Sequence, residues 1–142
     1  MTPASQTGEP WGIQFFQRVS AYGAPAECPT TNFLDSIPPE MAAEIESVLE
    51  AVSVAPPITF RGGGKWQIMH GDMSGIYEVR CSRGGKNYRL FCLLVKESPA
   101  FEGSAIVCLG GLVKPKNSAA DNRAYEEILR FRTEFEKHQS VI

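Results

Sequence analysis

The sequence predicts a small α+β fold: an antiparallel sheet of about four to five strands with a mixed edge, and helices packed on one of its faces. Three observations carry this expectation. Residues 76–95 read as a β-hairpin around Gly84-Gly85, stretches with apolar residues at helical spacing stand on either side of the strand-rich centre, and the order is strand, helix, several strands, closing helix. At 142 residues the chain is long enough to bury a core, and no apolar run approaches a membrane span.

Taken in order, residues 1–10 have neither a basic start nor an apolar centre and are expected to be a frayed leader, with a single domain from 11 to 142. Aromatic and β-branched residues from Trp11 to Tyr22 predict a first strand over Ile13–Val19, followed by a Gly-, Pro- and Thr-rich connection to Thr31. Asp35 or Ser36 can cap a helix with Pro38 and Pro39 in its first turn. Met41, Ile45, Val48, Leu49 and Val52 then form its buried stripe, and Glu40, Glu44, Glu46 and Glu50 its wet side. Pro56 and Pro57 end that helix. A loop, Arg61 to Lys65, precedes a strand expected from Trp66 to His70. Its glycines lack the spacing and the following helix of a phosphate loop. Beyond the hairpin comes a strand over Ala105–Val113. Asn117 or Ser118 is then placed to cap a final helix, with Asp121 completing a capping box and Tyr125, Ile128, Leu129, Arg132 and Phe135 facing inward.

The hairpin is the most informative segment. A two-residue Gly84-Gly85 turn sets Arg83 opposite Lys86, Val79 opposite Leu90 and Arg80 opposite Arg89. Alternation then puts Tyr77, Val79, Leu90, Cys92 and Leu94 on an apolar face, and Glu78, Arg80, Arg89 and Phe91 on the other. Like charges directly opposed destabilise a sheet, so the arginine pair points to an anion expected between them, phosphate first. The plainer alternative is a surface ion network centred on Glu78. Under the first reading both guanidinium groups lie on one solvent-accessible face that no helix covers.

Charge is unevenly spread along the chain. Residues 1–60 hold one basic and seven acidic residues, whereas 61–142 hold thirteen basic and nine acidic, so the second half suits a phosphodiester backbone or an acidic protein. Four cysteines without C-x-x-C spacing indicate a reduced, cytosolic protein, and two distant histidines, His70 and His138, provide no metal ligand set.

The stretch Gly75-Ile76-Tyr77-Glu78-Val79-Arg80, then Asn87-Tyr88-Arg89-Leu90-Phe91, then Ile106 to Val113 running into Lys114-Pro115-Lys116, then a capped helix containing Tyr and Glu, resembles the RelE/ParE superfamily of bacterial type II toxins. The Glu-Val-Arg and Tyr-Arg-Leu-Phe steps, and the segment Asn32 to Pro38, are most similar to the HigB branch and its phage-derived relatives. The resemblance spans residues 12–138. Two departures stand out: Pro115 replaces the second member of a Lys-Lys pair, and the loop from Lys96 to Gly103 is longer than usual.

The resemblance implies a RelE-like fold and ribosome-dependent cleavage of mRNA by 2′-hydroxyl attack, with no metal and no cofactor. It implies phosphate stabilisation by Arg89 and Arg80, with Lys114 and Lys116 as further catalytic or ribosome-binding cations. Tyr125 and His138 are the candidate acids or bases, set against core packing for the first and a solvated helix end for the second. The implied partners are a helix-turn-helix antitoxin of the HigA kind, the ribosome and mRNA, in the cytoplasm and away from membranes. A ParE-type toxin that inhibits DNA gyrase without cleaving, or an inactive phage-derived protein of the same fold, is the alternative.

Overall fold

The computed structural model describes residues 10–55, 57, 60, 62–116, 118 and 122–142. The expected leader, apart from Pro10, and the capping roles of Asn117 and Asp121 lie outside the described residues. The elements are β1 (Gly12–Phe15), α1 (Pro29–Ser36), α2 (Pro39–Val54), β2 (Trp66–Ile68), β3 (Tyr77–Arg83), β4 (Lys86–Val95), β5 (Ala105–Pro115) and α3 (Asn122–His138). They form an α+β fold with one five-stranded sheet in the order β1-β5-β4-β3-β2. The β1–β5 pairing is parallel and the other three are antiparallel, which is the mixed edge that the sequence predicts.

The hairpin has the expected register. Gly84 and Gly85 have φ of 61° and 77°, both left-handed as a two-residue turn of this twist requires, and Arg80 pairs with Arg89 and Val79 with Leu90. Between β4 and β5 the register slips: Phe91 pairs with Gly110 but Cys92 with Cys108, leaving Leu109 as an extra residue. This bulge reverses the parity of β5, because one inserted residue exchanges the two faces of everything beyond it. Val107 and Leu109 lie on the α3 side of the sheet. After the bulge that side is taken over by Leu112 and Lys114, which pair with Arg89 and Asn87.

The helices cover both faces, which corrects the expectation of helices on one face only. On one side α1 and α2 bury Phe33, Met41, Ile45, Leu49 and Val52 against Val79, Leu90, Cys92 and Ile106. On the other, Ile128, Phe131 and Phe135 of α3 pack on Phe16, Ile76, Phe91, Val107 and Leu109. The reason lies in the strands: β4 and β5 carry apolar residues at odd and even positions alike, so each face has apolar area to remove from water.

Several boundaries differ from expectation. The first strand ends at Phe15 rather than Val19, because Phe16 bridges to Val141 and Val19 to Pro25. The supposed connection to Thr31 in fact opens into α1, with Pro29 in its first turn. Asp35 and Ser36 close that helix instead of capping α2, and the Ser36 hydroxyl donates to the Phe33 carbonyl. Pro38 precedes α2 without any side-chain cap. Ser118 does not cap α3, since its hydroxyl donates to the Pro115 carbonyl.

Arg18 ties the irregular segment after β1 to α3. Its guanidinium donates to both carboxylate oxygens of Glu134 at 2.9 Å and to Glu27 at 2.6 Å, and stands 5.1 Å from the Phe131 ring centroid. Arg18→Ala is therefore expected to cost about 1–2 kcal/mol in urea unfolding, with little recovery in Arg18→Lys, because lysine lacks the planar fork that engages Glu134.

Candidate phosphate site

The sheet face beneath the N-terminal half of α3 collects the predicted cations. In the row across the strands, Arg80, Arg89 and Leu112 lie side by side, and Ser82, Asn87 and Lys114 form the next row outward. Lys114 belongs to this face only because of the bulge. Its ammonium donates to the Ser118 carbonyl at 2.9 Å, and its charge reaches Glu78. Lys116 follows just beyond the strand, exposed, with its backbone N–H donating to Gly85 beside the hairpin turn.

Glu78 occupies the centre of the cluster and is the residue that sequence reasoning undervalued. Its side chain is only 7% exposed, with Oε1 3.4 Å from Nε of Arg80 and Oε2 3.9 Å from Nε of Arg89. Burial holds its carboxyl above the usual carboxylate range, opposed by the charges of Arg89, Arg80 and Lys114. The expected ion network exists, then, but in the interior. Its position between the arginines follows from the hairpin register, whereas its burial follows from the covering helix.

That helix also alters Arg89. The Arg89 side chain is 11% exposed, and its Nη1 donates to the Tyr125 hydroxyl at 2.9 Å, while the Tyr125 ring meets the Phe91 ring edge-on at 5.8 Å. The expectation of two solvent-accessible guanidinium groups on an uncovered face is thus corrected for Arg89. Arg80 is 39% exposed at the side chain and donates to Gln67 at 3.0 Å, so the cluster opens to solvent on the β2 side. Tyr125 is half-buried, combining packing with a polar contact, and its hydroxyl, which accepts from Arg89, donates to no partner among the described residues.

His138 is at the opposite end of α3, exposed, thirteen residues beyond Tyr125 and so roughly 20 Å along the helix axis at 1.5 Å per residue. It does not join the site. Burial, with the Glu44 carboxylate beside it, pushes the Cys81 thiol up to about 12, and burial raises the Cys92 thiol too, so neither is a ready nucleophile. Among the described residues no group of three or more His, Cys, Asp or Glu side chains is assembled to hold a metal ion, and no helix is long and apolar enough to cross a membrane.

A separate cleft of about 460 Å³ lies between α1 and α3, where β1 leaves the outer edge of β5 beyond Cys108 uncovered. Among the described residues, its charged lining residues are Glu27 and Glu127, with no lysine or arginine, which makes it unsuited to a phosphate. The cationic face is the better candidate.

No protein-family model matches the chain, and the comparison with curated proteins gives no match. Among solved structures, the chain is similar to the toxin–antitoxin complex RelBE2 from Mycobacterium tuberculosis, at 15% identity over 77% of this chain and 99% of that one, with a TM-score of 0.41. The functional reading therefore rests on the residues of the site itself.

Proposed function

We propose that this chain is the toxin of a type II toxin–antitoxin pair, of the RelE/ParE kind and nearest the HigB branch, and that it cleaves mRNA on the ribosome. The observation that carries this reading is the convergence of Arg80, Arg89 and Lys114, from three strands, on one sheet face, with Tyr125 against Arg89. Cleavage through the 2′-hydroxyl passes through a pentavalent phosphorus carrying one more negative charge than the diester. Fixed cations aimed at that charge lower the barrier without reorganising. Arg80 and Lys114 are the groups that an incoming phosphate meets, Arg89 stands behind them, and the Tyr125 hydroxyl is the candidate proton donor to the leaving 5′-oxygen. Lys116 and the exposed Arg83 and Lys86 at the hairpin tip continue the positive surface along which an RNA backbone can run.

The reading also names its partners: a cognate antitoxin, with a folded helix-turn-helix domain of the HigA kind, and the ribosome with its mRNA in the cytoplasm. A site without a strong base depends on the ribosome to hold the 2′-hydroxyl in line, so free RNA is cut poorly. In the assay, ribosome-bound mRNA is expected to acquire new 5′ ends and 2′,3′-cyclic phosphate termini after addition of the protein, with EDTA present. Replacing Lys114 and Lys116 together by alanine is expected to slow cleavage roughly a hundredfold, with thermal stability little changed. An absence of new 5′ ends in primer extension, together with blocked gyrase supercoiling, rejects the nuclease and selects the ParE-type alternative.

A further inference from the structure

The proposed cleavage gives no role to the best-buried charge in the site. Oε2 of Glu78 and Nε of Arg89 are both buried and both lack a hydrogen-bond partner among the described residues, and the 3.9 Å between them is too long for a hydrogen bond. Such orphaned atoms are costly, since each has given up water without gaining a partner. Among the described residues, the charged or titratable groups facing the carboxylate are Arg80 on its own strand, Arg89 on β4 and Lys114 on β5, with Tyr125 of α3 reaching it through Arg89; Gln67 on β2 is neutral. Three cations thus surround one anion, and any oxyanion drawn to the cations is pushed away by Glu78.

We propose that Glu78 is the internal counter-anion of this site, and that binding of an oxyanion at Arg80 and Lys114 drives a proton from solvent onto the Glu78 carboxyl. The inference rests on the reading of this face as a phosphate site and adds a proton to its binding equilibrium. With the site empty, ionised Glu78 balances the buried Arg89. With a phosphodiester in place, the ligand supplies the balancing charge, and neutral Glu78 no longer opposes it. Burial already raises this carboxyl above its ordinary value of 4.5, which is the direction that favours gaining the proton.

The sign of the pH effect follows. Below the Glu78 pKa of the empty site the carboxyl is already neutral and affinity is at its highest. Between that value and the higher one of the occupied site, affinity falls with rising pH, by at most about tenfold per unit, and above the second value it levels at its lowest.

The test uses two probes whose own charge does not change in the range: sulfate, and the dinucleotide thymidylyl-thymidine, which has a diester but no 2′-hydroxyl to cut. Titrations followed by the arginine Nε–H resonances, from pH 5 to 8, are expected to show affinity for both probes falling as pH rises, sulfate more steeply. Calorimetry in two buffers of different ionisation heat is expected to show uptake of up to one proton. Glu78→Gln, which mimics the neutral carboxyl, is expected to bind roughly tenfold tighter at pH 8 and to lose the slope, which also separates Glu78 from the two histidines. Should that variant not fold, the wild-type calorimetry decides. Binding without proton uptake, or a slope retained in Glu78→Gln, overturns the role of Glu78 and leaves the anion site standing. Failure of both probes to bind at the arginines removes the phosphate site and this proposal with it.

Discussion

Arg89→Ala is expected to lower stability by about 3–5 kcal/mol, the cost of leaving one partner of a buried ion pair alone, and for a chain of this size to lower Tm by roughly 10 °C or more. Two like charges opposed across a hairpin would by themselves predict a neutral or favourable effect of removing one. The structure reverses that sign, because Glu78 lies between them at 3.4 and 3.9 Å and is almost wholly buried. Without Arg89 the carboxylate keeps Arg80 as an ion-pair partner and the charge of Lys114, and the Tyr125 hydroxyl loses its donor. The deficit should shrink in acid. Arg89 is the first of the charges that oppose the upward shift of Glu78, so its loss raises that carboxyl further; the folded variant then retains the Glu78 proton to higher pH than the unfolded chain does. Stability relative to wild type is accordingly greatest at low pH and falls as pH rises through the raised value. The double variant Glu78→Leu with Arg89→Met is expected to regain most of the loss, since both charges leave together. Urea unfolding at pH 5 and pH 8 reads these effects. Growth arrest should be absent in both variants when expression is matched, and arrest by the well-folded double variant would remove Arg89 from the proposed chemistry.

Gly111→Ala carries the second large effect, toward the upper end of the roughly 1–3 kcal/mol of an overpacked core. A Cβ at this position would lie 2.5 Å from the Arg89 carbonyl oxygen and 2.6 Å from two carbons of the Phe33 ring. The carbonyl belongs to the facing strand, where Leu90 pairs with Gly111, so it retreats only by opening the β4–β5 ladder next to Arg89. Phe33 is the buried anchor of α1, and its ring would have to shift as well, toward the cleft that it lines. The variant should therefore unfold at lower urea and also lose growth arrest, as Arg89 moves with its backbone. Adding Phe33→Leu should restore only part of the stability, because the ring clash is relieved and the carbonyl clash is not. Full recovery would mean that the helix, and not the strand, resists the methyl group.

Much of the site can be read from residues close together in the chain. Two adjacent glycines fix a two-residue turn, a two-residue turn fixes the register, and register with alternation puts Glu78, Arg80 and Arg89 on one face. The stripe of α2, Met41 to Val52, and most of that of α3 follow in the same way from helical period. These are consequences of local backbone geometry. What only the tertiary structure decided depends on partners distant in sequence. Lys114 faces the arginines because a bulge at Leu109–Gly110 reverses the parity of β5, and Gly110, at φ 135°, takes a backbone conformation open to glycine but announced by no periodicity. The eight-residue α1 forms from a Thr-rich segment of weak propensity because Phe33 has a bare glycine backbone to pack against. Arg89 is covered by a tyrosine 36 residues away, and this cover turns a surface carboxylate into a buried one. Strand register is set by the turn and the alternation beside it; burial, and with it the upward shift of the Glu78 carboxyl, is set by whichever helix finally lies on top.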